Sequence, residues 1–241
     1  QGPFEHPILY GVFASIGVTL FMALRRPGGS RLTWMNVAIA YLGTFFSLSL
    51  GAFVSAALQL GLLTYDRVLR HVRMRWTLMV LAIAAAYLFL AVAAERSPIS
   101  IFIGLFSFNP MASWIRVAIW EYGSAEVLRH PIFGIGLKDW ARPSWLTASV
   151  DNFWLLNAMR YGLPGATLIM GLVAVVLRST RRGRSQDPAF GEARRLYVFC
   201  MLGLCLALCT VALWNAMYSL FMFLVGSGVW MADARALASH P

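Results

Sequence analysis

Residues 76–94 read WTLMVLAIAAAYLFLAVAA, nineteen positions without a charge, bounded by Arg73 and Arg75 before and Glu95 and Arg96 after. At ~1.5 Å of rise per residue, a helix of this length covers the ~30 Å hydrocarbon core of a bilayer. It has no polar stripe to turn towards water. Six further stretches share this character, at roughly 8–24, 33–48, 51–66, 152–177, 195–213 and 216–232. The whole chain agrees: of 241 residues, 59% are hydrophobic and 12% charged, and the mean hydropathy is +0.68. A soluble domain of that composition would expose an apolar patch larger than the few hundred Å² that monomers tolerate. The expected fold is all-α: a polytopic transmembrane bundle of about seven helices, one membrane domain over 1–241. A long loop at 95–151, carrying short helices, lies within it.

The net charge of +10 is the pattern of a nucleic-acid binder only if the basic residues form a face. Here they sit in short blocks between apolar runs, as in membrane proteins, and no nucleic-acid partner is expected. Alternation along seven spans sorts them. With Arg25, Arg26 and Arg31 inside, the blocks at 67–75, 178–195 and 235 fall inside too. That side receives fourteen basic residues and four acids, and the other side six of each, so the whole +10 lies on one face. The positive-inside rule makes that face cytoplasmic, with Gln1 outside and the C-terminus inside.

The outer side then holds the one long connection, 95–151. It contains an apolar run from Ile99 to Phe108 and is crowded by Trp114, Trp120, Trp140 and Trp145, with Trp154 just beyond. Such aromatic density suits the membrane–water interface. Met111 to Arg129 reads as a helix that Pro131 ends, with only Gly123 against it. The second and third spans are joined by Ser49-Leu50-Gly51 as a tight re-entry or one bent helix, and the last two meet at Trp214-Asn215.

Several chemistries are absent from the sequence. There is no HExxH, CxxC, GxSxG or Walker-type loop, and Gly134-Ile135-Gly136 is too short to cradle a phosphate alone. The four histidines are scattered, so neither a metal nor another cofactor is expected. Cys200, Cys205 and Cys209 lack zinc spacing and read as small helix-facing residues. No basic segment precedes the first apolar run, which argues against a signal peptide, and the start at Gln1 reads as a piece of a longer polytopic protein.

The outer loop and its junction with the fifth span are where chemistry can sit. On a helix, Arg116, Trp120, Gly123, Val127 and His130 share a face, and Arg116 over Trp120 forms an i, i+4 cation–π pair. The competing reading is an interfacial helix whose arginine meets headgroups. His130 opens the turn His130-Pro131, a structural position as readily as a catalytic one. Asp151 and Asn152 open the fifth span. Asp151 is either its N-cap or a base at the membrane boundary. Arg160, nine residues on, lies half a turn out of phase, so both reach one pocket only if the helix bends.

The ordered strings Arg116-x3-Trp120, His130-Pro131-x2-Gly134-x-Gly136, Asp151-Asn152-x2-Leu155 and Tyr161-Gly162-x2-Gly165 resemble the O-antigen ligase and O-antigen polymerase family. The opening, residues 2–7, resembles the segment before a mid-chain helix there, so the likeness spans the C-terminal portion of a typical member. The resemblance implies a glycosyltransferase on the periplasmic side of the bacterial inner membrane. Its donor is an undecaprenyl-diphosphate-linked glycan and its acceptor a sugar or lipid, with neither metal nor nucleotide. Arg116 matches the family's loop arginine and would hold the diphosphate. Asp151 stands where the family usually has His; it keeps a base there, but one with an ordinary pKa near ~4. Trp120, His130, Arg142, Asn152 and Arg160 would complete substrate binding. Many members also carry Ser-Arg-Gly at the close of an earlier helix. Here the match is Ser49-Leu50-Gly51: either Arg142, Arg160 or Arg96 replaces that arginine, or the chain belongs to a divergent branch such as one for exopolysaccharide synthesis, or the activity is lost. The different-class rival is a non-enzymatic transporter or flippase for lipid-linked glycans, which needs polar side chains lining a path at mid-depth.

Overall fold

The computed structural model describes residues 4–24, 30–94, 98–105, 109–182 and 187–233. Among them the chain forms nine helices and no strand: α1 (Pro7–Ala23), α2 (Ser30–Phe46), α3 (Leu50–Val68), α4 (Arg75–Ala93), α5 (Pro98–Leu105), α6 (Pro110–Arg129), α7 (Phe153–Arg182), α8 (Pro188–Ala207) and α9 (Asn215–Asp233). The all-helical class holds, and each of the seven apolar stretches overlaps a helix. Three of them, α4, α7 and α9, are long and apolar enough to cross a membrane. The expected loop contains α5 and α6. Of the residues used above, Gln1, Arg25, Arg26, Glu95, Arg96, Phe108, Arg184 and Arg235 lie outside the described residues, as does Gly2-Pro3.

The core is built on α1, which packs against α2, α3 and α8. Its interface with α3 is polar at the centre and dry. Thr19 Oγ1 donates to Gln59 Oε1 (2.9 Å), Gln59 Nε2 to Ser55 Oγ (3.3 Å), and Ser55 Oγ to Ser15 Oγ (3.3 Å). Ser15 closes the chain on the Val12 carbonyl at 2.7 Å. Gln59 is 0% exposed, so the network is satisfied by protein groups in place of solvent. α8 lies directly over it. A Cβ on Gly203 would come within 2.8 Å of both Gln59 Cγ and the Ser55 carbonyl oxygen, so only glycine permits that approach. Apolar clusters flank this centre. One gathers Leu9, Val12, Phe153, Met201, Leu204 and Phe221, and the other Val18, Val37, Leu62 and Phe199. By contrast, α4 buries none of its residues; Trp76, against Tyr65 and Phe199, holds its first turn.

Three boundaries differ from the expectation, each for a local reason. α8 runs from Pro188 to Ala207, not from 195 to 213. Asp187 caps it by accepting from Ala189 N (2.9 Å), and residues 208–214 leave the helix, with the Leu208 carbonyl accepting from Phe153 N (2.9 Å). The α8–α9 connection is therefore a seven-residue turn, not a minimal one at Trp214-Asn215. α2 and α3 are separate helices, joined through Leu48 at φ 53° and capped by Ser49. The fifth span is interrupted at Gly162 (φ 69°, ψ −176°).

Helix ends gather in two groups. At one, Glu5 accepts from Trp214 Nε1 and Asn215 Nδ2, both at 2.8 Å, and Gly51 abuts Thr210. At the other, Asp66 bonds Arg75 (2.8 Å) and lies 3.7 Å from Arg195, and Arg67 faces Glu192 at 4.0 Å.

Gly203→Val is expected to lower the thermal midpoint in detergent, costing ~1–3 kcal/mol through overpacking against Gln59 and Ser55. Gly191→Val, at a position with nothing within 4 Å, is expected to leave it within ~0.5 kcal/mol of wild type. Equal midpoints for the two variants would contradict the packing described.

Candidate functional site

Asn109 starts α6: its side-chain oxygen accepts from Met111 N (2.9 Å), and Pro110 fills the first helical position. α6 then runs parallel to the opening turns of α7. Arg116 lies beside Asp151 and Asn152, Gly123 against Leu155 and Met159, and Pro131 against Leu163. The chain from 137 to 150 folds back over this pair. It contributes Trp140, Leu146 and Val150 to a cluster with Ala118, Ile119, Val127, Leu155 and Met159.

The break in α7 is closed by the expected turn after His130. Pro164 has no N–H, so the Arg160 carbonyl four residues earlier loses its helical donor. Gly136 N supplies one at 3.0 Å, and Ile135 N donates to the Met159 carbonyl at 2.8 Å. Leu163 N, turned out of the helix at Gly162, donates to the Pro131 carbonyl at 2.7 Å. The two backbones touch. A Cβ on Gly134 (φ +67°) would lie 2.5 Å from the Arg160 carbonyl, and one on Gly162 (φ +69°) 2.3 Å from the Ile132 oxygen. The glycine motifs therefore form a main-chain clip, not a phosphate cradle.

At the opposite end of this pair lies a small cleft that opens to the exterior. Its lining comes from Ile103 of α5, from Arg116, Ile119 and Trp120 of α6, and from Asp151, Asn152 and Leu155 at the head of α7. Cys209 and Thr210 of the turn after α8 complete it. Four expected site residues thus meet: Arg116, Trp120, Asp151 and Asn152. Burial pulls the pKa of the Arg116 guanidinium down, and the nearby Asp151 carboxylate opposes that shift. Arginine remains cationic under such shifts. The cleft therefore holds a half-buried cation beside a carboxylate, with apolar walls.

The cap assignment changes. Asn152, not Asp151, is the N-cap of α7: its Oδ1 accepts from Leu155 N at 3.0 Å, and its carbonyl from Leu156 N at 2.9 Å. The Asp151 carboxylate instead accepts from Ser149 Oγ (3.0 Å).

His130, Arg142 and Arg160 do not line the cleft. His130 ends α6, with Nε2 3.7 Å from the buried Glu126, which also takes Arg129 at 2.7 Å. Arg142 braces the return segment. It bonds Asp139, donates to the carbonyls of Leu146 (3.2 Å) and Trp140 (3.2 Å), and lies over the Trp140 ring at 5.6 Å. The Arg160 backbone carries the clip. Neither arginine therefore stands where it was expected, in the cleft. The Ser49-Leu50-Gly51 turn does lie near the cleft, because a Cβ on Gly51 would meet Thr210 Oγ1 at 2.4 Å.

Sequence reasoning missed Ile103, Cys209 and Thr210. Thr210 and the polar Trp214-Asn215 mark a weak point in an otherwise apolar run, the one signal that the helix ends early there. Among the described residues, no group of His, Cys, Asp and Glu could hold a metal ion. No protein-family model matches the chain, and no curated protein matches it.

Gly134→Ala is expected to destabilise the protein by about 1–3 kcal/mol or more, combining a left-handed backbone with the clash at Arg160. Gly136→Ala, which shares the backbone but has open space around it, is expected to cost less. Thermal melts that reverse this order would sink the clip. The Asp139 carboxyl is held below the usual carboxylate range, first by its hydrogen bond from Arg142. Its contribution is thus complete above the ordinary carboxylate pKa of ~3.9 and lost as pH falls through the lower folded value. Protection of the amides across 139–146, measured against intrinsic exchange at each pH, is expected to fall only in that acid range, and Asp139→Asn to remove the dependence.

Proposed function

We propose that the chain is the C-terminal part of a multi-pass glycosyltransferase of the bacterial inner membrane. It would transfer or polymerise an undecaprenyl-diphosphate-linked glycan, for O-antigen or exopolysaccharide, at the periplasmic face. One observation carries this reading: Arg116 and Asp151 share a small cleft with Trp120, away from the basic end of the bundle. All seven helices that cover the apolar stretches are taken as spans, α5 and α6 as the periplasmic segment, and the end bearing Asp66, Arg75 and Arg195 as cytoplasmic, in keeping with the charge count.

The chemistry fits the groups in the cleft. The acceptor hydroxyl oxygen attacks the anomeric carbon of the carrier-linked sugar. The bond from that carbon to the diphosphate oxygen breaks, and its electron pair leaves with the diphosphate. Arg116 stabilises the departing charge, more strongly for being partly withdrawn from water. Asp151 takes the acceptor proton and passes it to solvent. The apolar lining from Ile103, Ile119 and Leu155 suits the lipid-proximal part of the donor. Leu50 in place of the family's arginine leaves Arg116 as the cleft's cation, and Asp151 in place of His supplies a weaker base. The acceptor and the sugar repeat are left open by this chemistry.

The transporter reading has less behind it. Its path would need polar side chains along the helices, but those of α1 and α3 are consumed in the Ser15–Gln59 network. Asn157 donates to the Phe153 carbonyl (2.8 Å), and Asn215 to Glu5.

In the full-length protein with a defined lipid-linked oligosaccharide, Arg116→Ala is expected to lower turnover at least ~100-fold, on the scale of losing one charge-stabilising donor. Asp151→Asn is expected to lower turnover ~100-fold while leaving the thermal midpoint near wild type, since Asn152 supplies the cap. Undiminished transfer by either variant would remove that residue's role.

A further inference from the structure

The turn that closes the α7 break presents an apolar knuckle on its outer surface. Phe133 is 87% exposed and Leu137 85%, with Leu128 and Ile132 also exposed beside them. Such side chains on a mobile surface loop would need no explanation. This turn is not of that kind: three main-chain hydrogen bonds and two glycines with positive φ fix it against α7. The knuckle is held rigidly in the open.

Its neighbours identify what covers it. The bond from Leu163 N to the Pro131 carbonyl sets the knuckle at the head of the α7 segment beyond the break. That segment exposes Leu163, Leu168, Met170, Leu172 and Val175 on a helix long and apolar enough to cross a membrane. The apolar surface of the knuckle therefore continues the one that α7 offers to lipid. The groups that border it are amphipathic or charged: exposed Arg129, whose charge is met by Glu126, exposed His130 3.7 Å from the same carboxylate, and Lys138 followed by the Arg142-paired Asp139. An apolar tip rimmed by such groups is how proteins seat in the headgroup–acyl boundary.

We propose that residues 128–137 form a lipid-facing anchor, with Ile132, Phe133 and Leu137 inserted among acyl chains of the outer leaflet. The anchor holds the α6–α7 pair, and with it the Arg116–Asp151 cleft, at a fixed position against the bilayer surface. This rests on the membrane reading of the chain but not on glycosyl transfer. A bilayer, and no protein partner, is the occupant, because the covering surface is continuous with α7.

Site-directed spin labelling in the full-length protein tests it, with Cys200, Cys205 and Cys209 replaced by serine or alanine. Single labels at Phe133→Cys, Leu137→Cys, Leu88→Cys on α4 and Ser149→Cys are compared in vesicles of phosphatidylethanolamine and phosphatidylglycerol. The readout is relaxation by dissolved oxygen against relaxation by a water-soluble nickel chelate. Labels at 133 and 137 are expected to match Leu88, with strong oxygen and weak chelate effects, while Ser149 shows the reverse. If 133 and 137 instead behave like Ser149 while Leu88 stays shielded, the anchor is wrong and the membrane reading stands. If Leu88 is itself open to the chelate, the membrane reading falls and the anchor with it.

Discussion

A broken helix in an apolar setting must find new partners for its backbone, and the break at Gly162 is the constraint around which the outer segment is arranged. Pro164 removes one donor and Gly162 turns another away, and a helix proposed to cross a bilayer has no water there to hydrogen-bond what is left. The turn at 131–136 supplies the missing groups one for one. Because that turn follows directly on α6, satisfying α7 fixes where α6 lies. Once α6 lies parallel to α7, Arg116 arrives beside Asp151. The cleft at one end of the pair depends on hydrogen bonds at the other.

A second constraint acts from the bundle side. The Leu208 carbonyl accepts from Phe153 N, which ties the start of α7 to the turn after α8. That turn brings Cys209 and Thr210 to the cleft, and the bond from Trp154 Nε1 to the Cys205 carbonyl (3.2 Å) repeats the tie. The cleft is therefore bounded by elements far apart in sequence, with the head of α7 tied to the end of α8 through the carbonyls of Leu208 and Cys205. Side chains that approach a charged substrate need such rigid support, since reaction geometry tolerates little looseness.

The helices were legible because a bilayer-length apolar run is hard to misread, as residues 76–94 show. α6 was legible for the opposite reason, a helix pattern between two prolines. What the sequence could not carry was long-range pairing. The stop of α8 at Ala207 depends on a donor from Phe153, and the role of Gly134 on a carbonyl at Arg160. No local pattern encodes either. At the site, Arg116, Trp120, Asp151 and Asn152 were found from motif order and meet in space. Of the two readings open for Asp151, the cap falls to its neighbour Asn152, a distinction that adjacent polar residues do not settle by type. Arg142 and Arg160 have the right chemistry for a diphosphate, but the first braces Trp140 and Asp139 and the second carries the clip.

The central claim is that the Arg116–Asp151 cleft receives the diphosphate head of a lipid-borne donor. Photo-crosslinking tests it most directly, using the full-length protein in vesicles and an undecaprenyl diphosphate glycan with a photoreactive group beside the diphosphate. The account predicts adducts on peptides containing residues 103–120 and 209–210, lost on competition with unlabelled carrier diphosphate. Adducts confined to the opposite end, around Asp66 and Arg195, or labelling that competitor does not reduce, would contradict it.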